Sequence, residues 1–343
     1  MEPMPLLLDY AGFLAKSLTV LLVFAAMAGI FSMSRGKSRR KEGELKVTSL
    51  NEFYKKLNTT VQQAFMSKAQ RKEAKKSLKE ADKAATHMDG KSKVYVLDFN
   101  GDDQASAVES LRNEVTAILS DAKASDEVVV RLESPGGVVH GYGLAASQLV
   151  RIREAGVPLT ICVDKVAASG GYMMACIANT IITAPFAILG SIGVVASMPN
   201  FHKLLKKHEI DFELITAGEF KRTLTTMGEN TEAGRQKFQE EVDAVHGLFK
   251  AFVGKYRPML AMDEIATGES WFGSEAVEKK LADSMMTSDE YLAQKSKDAN
   301  LVQVQFELPK KRGLKARLGF AAASVLETTI VRLWTRATTY RGF

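Results

Sequence analysis

Residues 127–184 read EVVVRLESPGGVVHGYGLAASQLVRIREAGVPLTICVDKVAASGGYMMACIANTIITA, and this stretch decides the fold. Its β-branched runs EVVVRL, PLTICV and TIITA are short and apolar, as strands buried on both faces are. A helical stretch at 143–155 stands between the first two. Working outward, VYVLDF begins at Val94 and is followed by helical residues 105–122, while IGVVA from Ile192 reads as a further strand. Strand and helix in alternation, at about 30 residues per repeat, describe an α/β domain with a mostly parallel sheet. Residues 231–258 then predict a long helix with Phe238, Val242, Val245, Leu248, Phe249 and Phe252 among its apolar positions.

The flanks differ in kind. The chain has 343 residues, 46% hydrophobic and 25% charged, which excludes a disordered or collagen-like protein. Between Lys16 and Arg35 lie eighteen uncharged residues, SLTVLLVFAAMAGIFSMS, and apolar character continues upstream through Leu6, Leu7 and Leu8. About 20 residues cross a bilayer core, so residues 1–34 are expected to form one transmembrane anchor. The run ends in bulky residues, Ile30 and Phe31, where a signal-peptide cleavage site needs small ones. Six Lys and Arg residues between Arg35 and Lys46, against Lys16 alone before the span, lean the remainder towards the cytoplasmic side of an inner membrane.

The net charge of +6 is local: residues 35–93 hold seventeen Lys and Arg against seven Asp and Glu. Residues 35–92 therefore read as a basic helical linker, with an apolar stripe at Leu50, Phe53, Tyr54, Leu57, Val61 and Phe65 that something must cover. No reading motif or aromatic-interleaved basic face points to nucleic acid. The last residues, 301–343, form a basic amphipathic extension suited to packing or to a membrane surface. Cys162 and Cys176 are the two cysteines and read as small buried apolar residues.

Four glycine-rich clusters stand at strand ends, where ligands of α/β sheets gather: ESPGG at 133–137, AASGGY at 167–172, GSIGV at 190–194 and AGEFKR at 217–222. Ser169 precedes an apolar helical start, so it is either an ordinary helix cap or a nucleophile beside free backbone N–H groups. Of the five histidines, only His140 falls near a plausible site, which argues against a Ser-His-Asp triad. A Ser-Lys arrangement is the alternative, and it requires a lysine held neutral by desolvation. Lys221 is one candidate among many lysines.

Taken in order, ESPGG, DKVAASGGYMMA, GSIGV, AGEFKRTLT and ATGESWFG resemble the signal peptide peptidase A family of serine proteases, and within it the membrane-anchored SohB type. The resemblance covers residues 94–290. It implies a crotonase-like (Clp-protease-like) ββα superhelix behind the transmembrane helix, with the protease domain at 93–300 and members assembled as rings. It also implies that Ser169 is the nucleophile, that Lys221 is the general base, and that Ser191 orients the lysine. Gly136 matches an oxyanion-hole donor, with Gly170 a second by analogy. The expected activity is that of an endopeptidase acting on signal-peptide remnants or unfolded membrane-protein segments with small or apolar side chains, without metal or cofactor. An acyl-CoA enzyme would use both glycines but leave Ser169 and Lys221 idle, and a noncatalytic membrane scaffold would be indifferent to Ser169.

Overall fold

The computed structural model describes residues 17, 43–74 and 91–308. The expected anchor at 1–34, apart from Ser17, and the extension beyond Leu308 lie outside the described residues. Among the described residues no helix is long and apolar enough to cross a membrane. One compact unit spans Leu45–Glu307, and the other, Met1–Glu44 with Leu308–Phe343, falls almost wholly outside the description.

The unit opens with β1 (Glu44–Ser49) and α1 (Leu50–Ala64), then β2 (Lys93–Asn100), α2 (Val108–Leu119), β3 (Glu127–Glu133), α3 (Val139–Glu154) and β4 (Leu159–Val163). Next come β5 (Val166–Ala168), α4 (Gly170–Ala175), β6 (Thr180–Thr183), β7 (Ile188–Gly190), α5 (His202–Lys207) and the long α6 (Glu232–Tyr256). It closes with α7 (Met262–Ile265), β8 (Ser270–Phe272), α8 (Gly273–Glu278), β9 (Ser284–Met285), α9 (Ser288–Lys295) and β10 (Asn300–Glu307).

A seven-stranded sheet runs β1-β10-β2-β3-β4-β6-β9, and a small second sheet runs β5-β7-β8. All pairings from β10 through β9 are parallel, as the buried β-branched runs imply. In the small sheet β5 and β7 are parallel while β7 and β8 are antiparallel. Alternation sorts the side chains. Leu97, Phe99, Val130, Leu132, Leu159 and Ile161 meet α2 and α3 through Leu111, Val115, Leu149 and Ile152. Val94, Val96, Val129, Cys162 and Ile182 point the other way, where Leu50 and Leu292 join them.

Three expectations change. The IGVVA segment is not a strand: β7 ends at Gly190, and positive φ at Gly190 (105°) and Ser191 (52°) turns the chain out of the sheet. The limits at 92 and 301 are both crossed, because β1 and β10 belong to the large sheet. Asn51 ties them in, donating to Ser296 and Ala299 carbonyls and accepting from the Leu301 N–H. The α1 stripe is only partly covered: Leu50 is buried, whereas Phe53 and Phe65 are 52% and 87% exposed.

One buried carboxyl carries a pH prediction. Glu114 of α2 is 4% exposed and accepts from the Phe306 N–H of β10 at 2.7 Å. Burial pushes its carboxyl up to about 7, against the pull of that hydrogen bond and with the help of nearby Asp98. The folded form thus holds a proton that the unfolded chain releases, so stability falls as pH rises from the ordinary glutamate range through about 7. Glu114→Gln is expected to raise unfolding stability at pH 8 by about 2 kcal/mol and to leave it unchanged at pH 4, read from urea midpoints.

Candidate active site

Ser169 sits on a sharp turn between β5 and α4. Its backbone has φ 51° and ψ −118°, outside the regions that L-residues ordinarily occupy. Such strain persists only where surrounding contacts impose it, and it is the kind of strand-to-helix elbow that lifts a nucleophile clear of a sheet. The Ser169 N–H donates to the Gly190 carbonyl at 2.9 Å, and its own carbonyl accepts from Met173 N–H at 2.9 Å. The neighbouring ESPGG turn is laid against it: Ser134 N–H donates to Val166 O, and Ala168 N–H donates to Ser134 O. Gly136, at φ 95°, lies so close that a Cβ there would be 2.7 Å from Ser169 Cβ and 2.8 Å from Gly170 N. Only glycine fits that approach.

The ordinary alternative for a serine at this place fails. Ser169 makes no side-chain cap bond to α4, and its hydroxyl has no hydrogen-bond partner among the described residues. It lines a cleft of 740 Å³ together with Ser191, Gly136, Asp103 and His246. Beside it, an apolar pocket of 280 Å³ is walled by Ser169, Gly170, Met173, Leu248, Phe249 and Phe252 among others. The Gly170 N–H, in the first turn of α4, has no hydrogen-bond partner among the described residues. The Gly136 N–H donates to Ser134 Oγ at 3.1 Å, so an oxyanion would have to share it.

Of the five expected site residues, Ser169, Ser191 and Gly136 line the cleft, and Gly170 lines the adjoining pocket with Ser169. Lys221 is exposed, lies in a turn closed by its N–H to the Gly218 carbonyl at 3.1 Å, and lines neither cavity. Its surroundings are unusual, because no residue from 193 to 231 is buried although the segment exposes Val195, Phe201, Ile215 and Phe220. His140 is exposed and lines neither cavity. The histidine that reaches the cleft is His246 of α6, whose Nε2 lies 3.1 Å from the Ile192 carbonyl. Neither it nor the α6 pocket wall was legible, since nothing local in sequence ties α6 to Ser169.

Two family models match, Peptidase family S49 N-terminal over residues 5–149 and Peptidase family S49 over residues 151–302. The Haemophilus influenzae protein named Probable protease SohB is 48% identical over 318 residues, covering 89% of this chain and 90% of its own. Its namesake from Buchnera aphidicola subsp. Schlechtendalia chinensis is 48% identical over 303 residues, covering 84% and 99%. Among solved structures, a membrane-bound stomatin-specific protease in complex with a substrate peptide matches 60% of this chain and 80% of its own, at 16% identity and TM-score 0.38.

Proposed function

Because the chain belongs to peptidase family S49 and is a serine protease, we propose that it is a membrane-anchored endopeptidase working through a dyad of Ser169 and Lys221. The observation that carries the reading is the strained, uncapped Ser169, which lines a cleft and whose hydroxyl has no hydrogen-bond partner among the described residues. Lys221 Nζ serves as the base that takes the Ser169 proton as Oγ attacks the scissile carbonyl carbon. The oxyanion that forms is held by the N–H groups of Gly170 and Gly136, each such donor contributing about 3 kcal/mol. Collapse breaks the C–N bond, the amine leaves with the proton from Lys221, and water then hydrolyses the acyl-enzyme by the same steps. Ser191 orients the lysine.

This reading requires the 193–231 segment to bring Lys221 to Ser169. The segment's exposed apolar side chains are the surface a neighbouring copy in a ring would cover, which supports a homo-oligomer. The uncharged apolar run between Lys16 and Arg35 and the Lys and Arg excess behind it support a single-pass anchor in an inner membrane, with the site leaning to the cytoplasmic side. Labelling by a serine-directed fluorophosphonate tests the site: modification at Ser169 is expected, and labelling elsewhere would overturn it.

The apolar pocket supports substrates with apolar or small side chains at the scissile bond, as in signal-peptide remnants and unfolded membrane-protein segments. Gly143 lines this pocket from α3, and a Cβ on it would meet nothing within 4 Å. Gly143→Leu should thus fill the pocket without disturbing its wall. Its kcat/KM for peptides with Leu or Phe at the scissile position is expected to fall by about 10- to 100-fold, while that for Ala peptides is kept. Equal losses on all peptides would place the specificity pocket elsewhere.

A further inference from the structure

Beneath the two proposed oxyanion donors lies one side chain that neither sequence motif contains. Tyr142 of α3 is fully buried, as is Ser134. Its hydroxyl donates to the Asp102 carbonyl at 2.9 Å and stands 2.5 Å from Ser134 Oγ. A phenol has one hydrogen, and here that hydrogen goes to Asp102. Ser134 must then donate its own hydrogen to the Tyr142 oxygen, which leaves its lone pair facing the Gly136 N–H at 3.1 Å. The chain of donation runs one way, from Gly136 N–H through Ser134 and Tyr142 to the Asp102 carbonyl. Burial and the nearby acidic side chains push the Tyr142 phenol up, so it stays a donor across the working pH range. The same residue also supports the opposite wall, because its ring lies directly under Gly170, where a Cβ would be 2.7 Å from Tyr142 Cδ2.

We propose that Tyr142 is a positioning residue for catalysis, its ring carrying Gly170 and its hydroxyl fixing, through Ser134, the amide of Gly136. This deepens the protease reading given above and rests on it. Two donors, one on a turn and one in the first turn of α4, must converge on an atom that becomes charged only in the transition state, and a single rigid side chain that touches one and reaches the other through Ser134 sets their spacing. The hydroxyl is separable from the ring: Phe at 142 keeps the support under Gly170 and removes only the orientation of Ser134.

The test uses the detergent-solubilised full chain and an apolar peptide substrate, with a peptide aldehyde that forms a hemiacetal on Ser169 as the probe of oxyanion binding. Tyr142→Phe is expected to lower kcat about tenfold, keep KM within twofold, and weaken aldehyde inhibition about tenfold. Ser134→Ala should reproduce those losses, and the double variant should be no worse than either, since both cut one chain. A merely structural role would move the unfolding midpoint without splitting kcat from KM. Values of kcat and aldehyde affinity within twofold of wild type in Tyr142→Phe would overturn the proposal, and if that variant does not fold, Ser134→Ala decides by the same criteria. A wild-type chain that neither cleaves the peptide nor takes fluorophosphonate at Ser169 would instead overturn the site reading beneath it.

Discussion

Ser169→Ala is expected to reduce cleavage of an unfolded, apolar-rich polypeptide by about 10⁴-fold or more, with no shift in the unfolding midpoint. The two halves of that expectation have separate causes. The hydroxyl makes no hydrogen bond among the described residues, so removing it leaves no described partner unsatisfied, and alanine occupies the same positive φ at the same cost. Without Oγ, however, there is no acyl-enzyme. Lys221→Ala should lose activity to a comparable degree and equally without loss of stability, because an exposed side chain supports nothing in the core. The two inactive variants also locate the base. Regained activity in mixed oligomers would assign the lysine to a neighbouring copy, and continued silence would assign it to the same chain. If both variants cleave like wild type, the Ser-Lys assignment is wrong.

The turn that bears Ser169 was legible because its features are local, while the role of nucleophile came from the resemblance. ESPGG and AASGGY each encode a turn, and the runs EVVVRL, PLTICV and TIITA announce the parallel sheet by β-branched composition, whereas β5, which is Val-Ala-Ala, carries no such signal. Other features depend on contacts between distant residues. Strand β10 reads NLVQVQFE, whose partly exposed alternation resembles a tail until Asn51, some 250 positions away, is seen to hold it. The small sheet needs β8 to return antiparallel to β7 across the 79 residues between Gly190 and Ser270. His246 and the α6 wall arrive in the same way. Tyr142 escaped notice because nothing in GYGLAAS distinguishes a core tyrosine from one whose hydroxyl closes a polar chain. The position of Lys221 relative to Ser169 is a different case, since the segment that bears it has no buried residue to anchor it to its own core.

Gly170→Ala should damage both stability and activity, by about 2 kcal/mol in unfolding and by about 100-fold or more in kcat. The added Cβ would stand 2.7 Å from Tyr142 Cδ2 and closer still to Cγ, well inside contact distance. Tyr142 cannot yield easily. Its hydroxyl is held by Ser134 and Asp102, and its ring meets Phe99 edge-on at 6.4 Å between centroids. The helix α4 must therefore lift, taking the Gly170 N–H away from the oxyanion and turning Ser169 with it. The penalty is steric and not conformational, because Gly170, unlike Gly136, has no positive φ. That distinction can be measured: shrinking the ring by Tyr142→Leu in the Gly170→Ala background should recover part of the lost stability, which no relief of a backbone penalty would explain. Recovered stability without recovered kcat is the expected pattern, since leucine refills some of the space but cannot hold Ser134. A Gly170→Ala protein with wild-type midpoint and wild-type kcat would mean that the ring does not bear on Gly170, and that the oxyanion wall is built from other contacts.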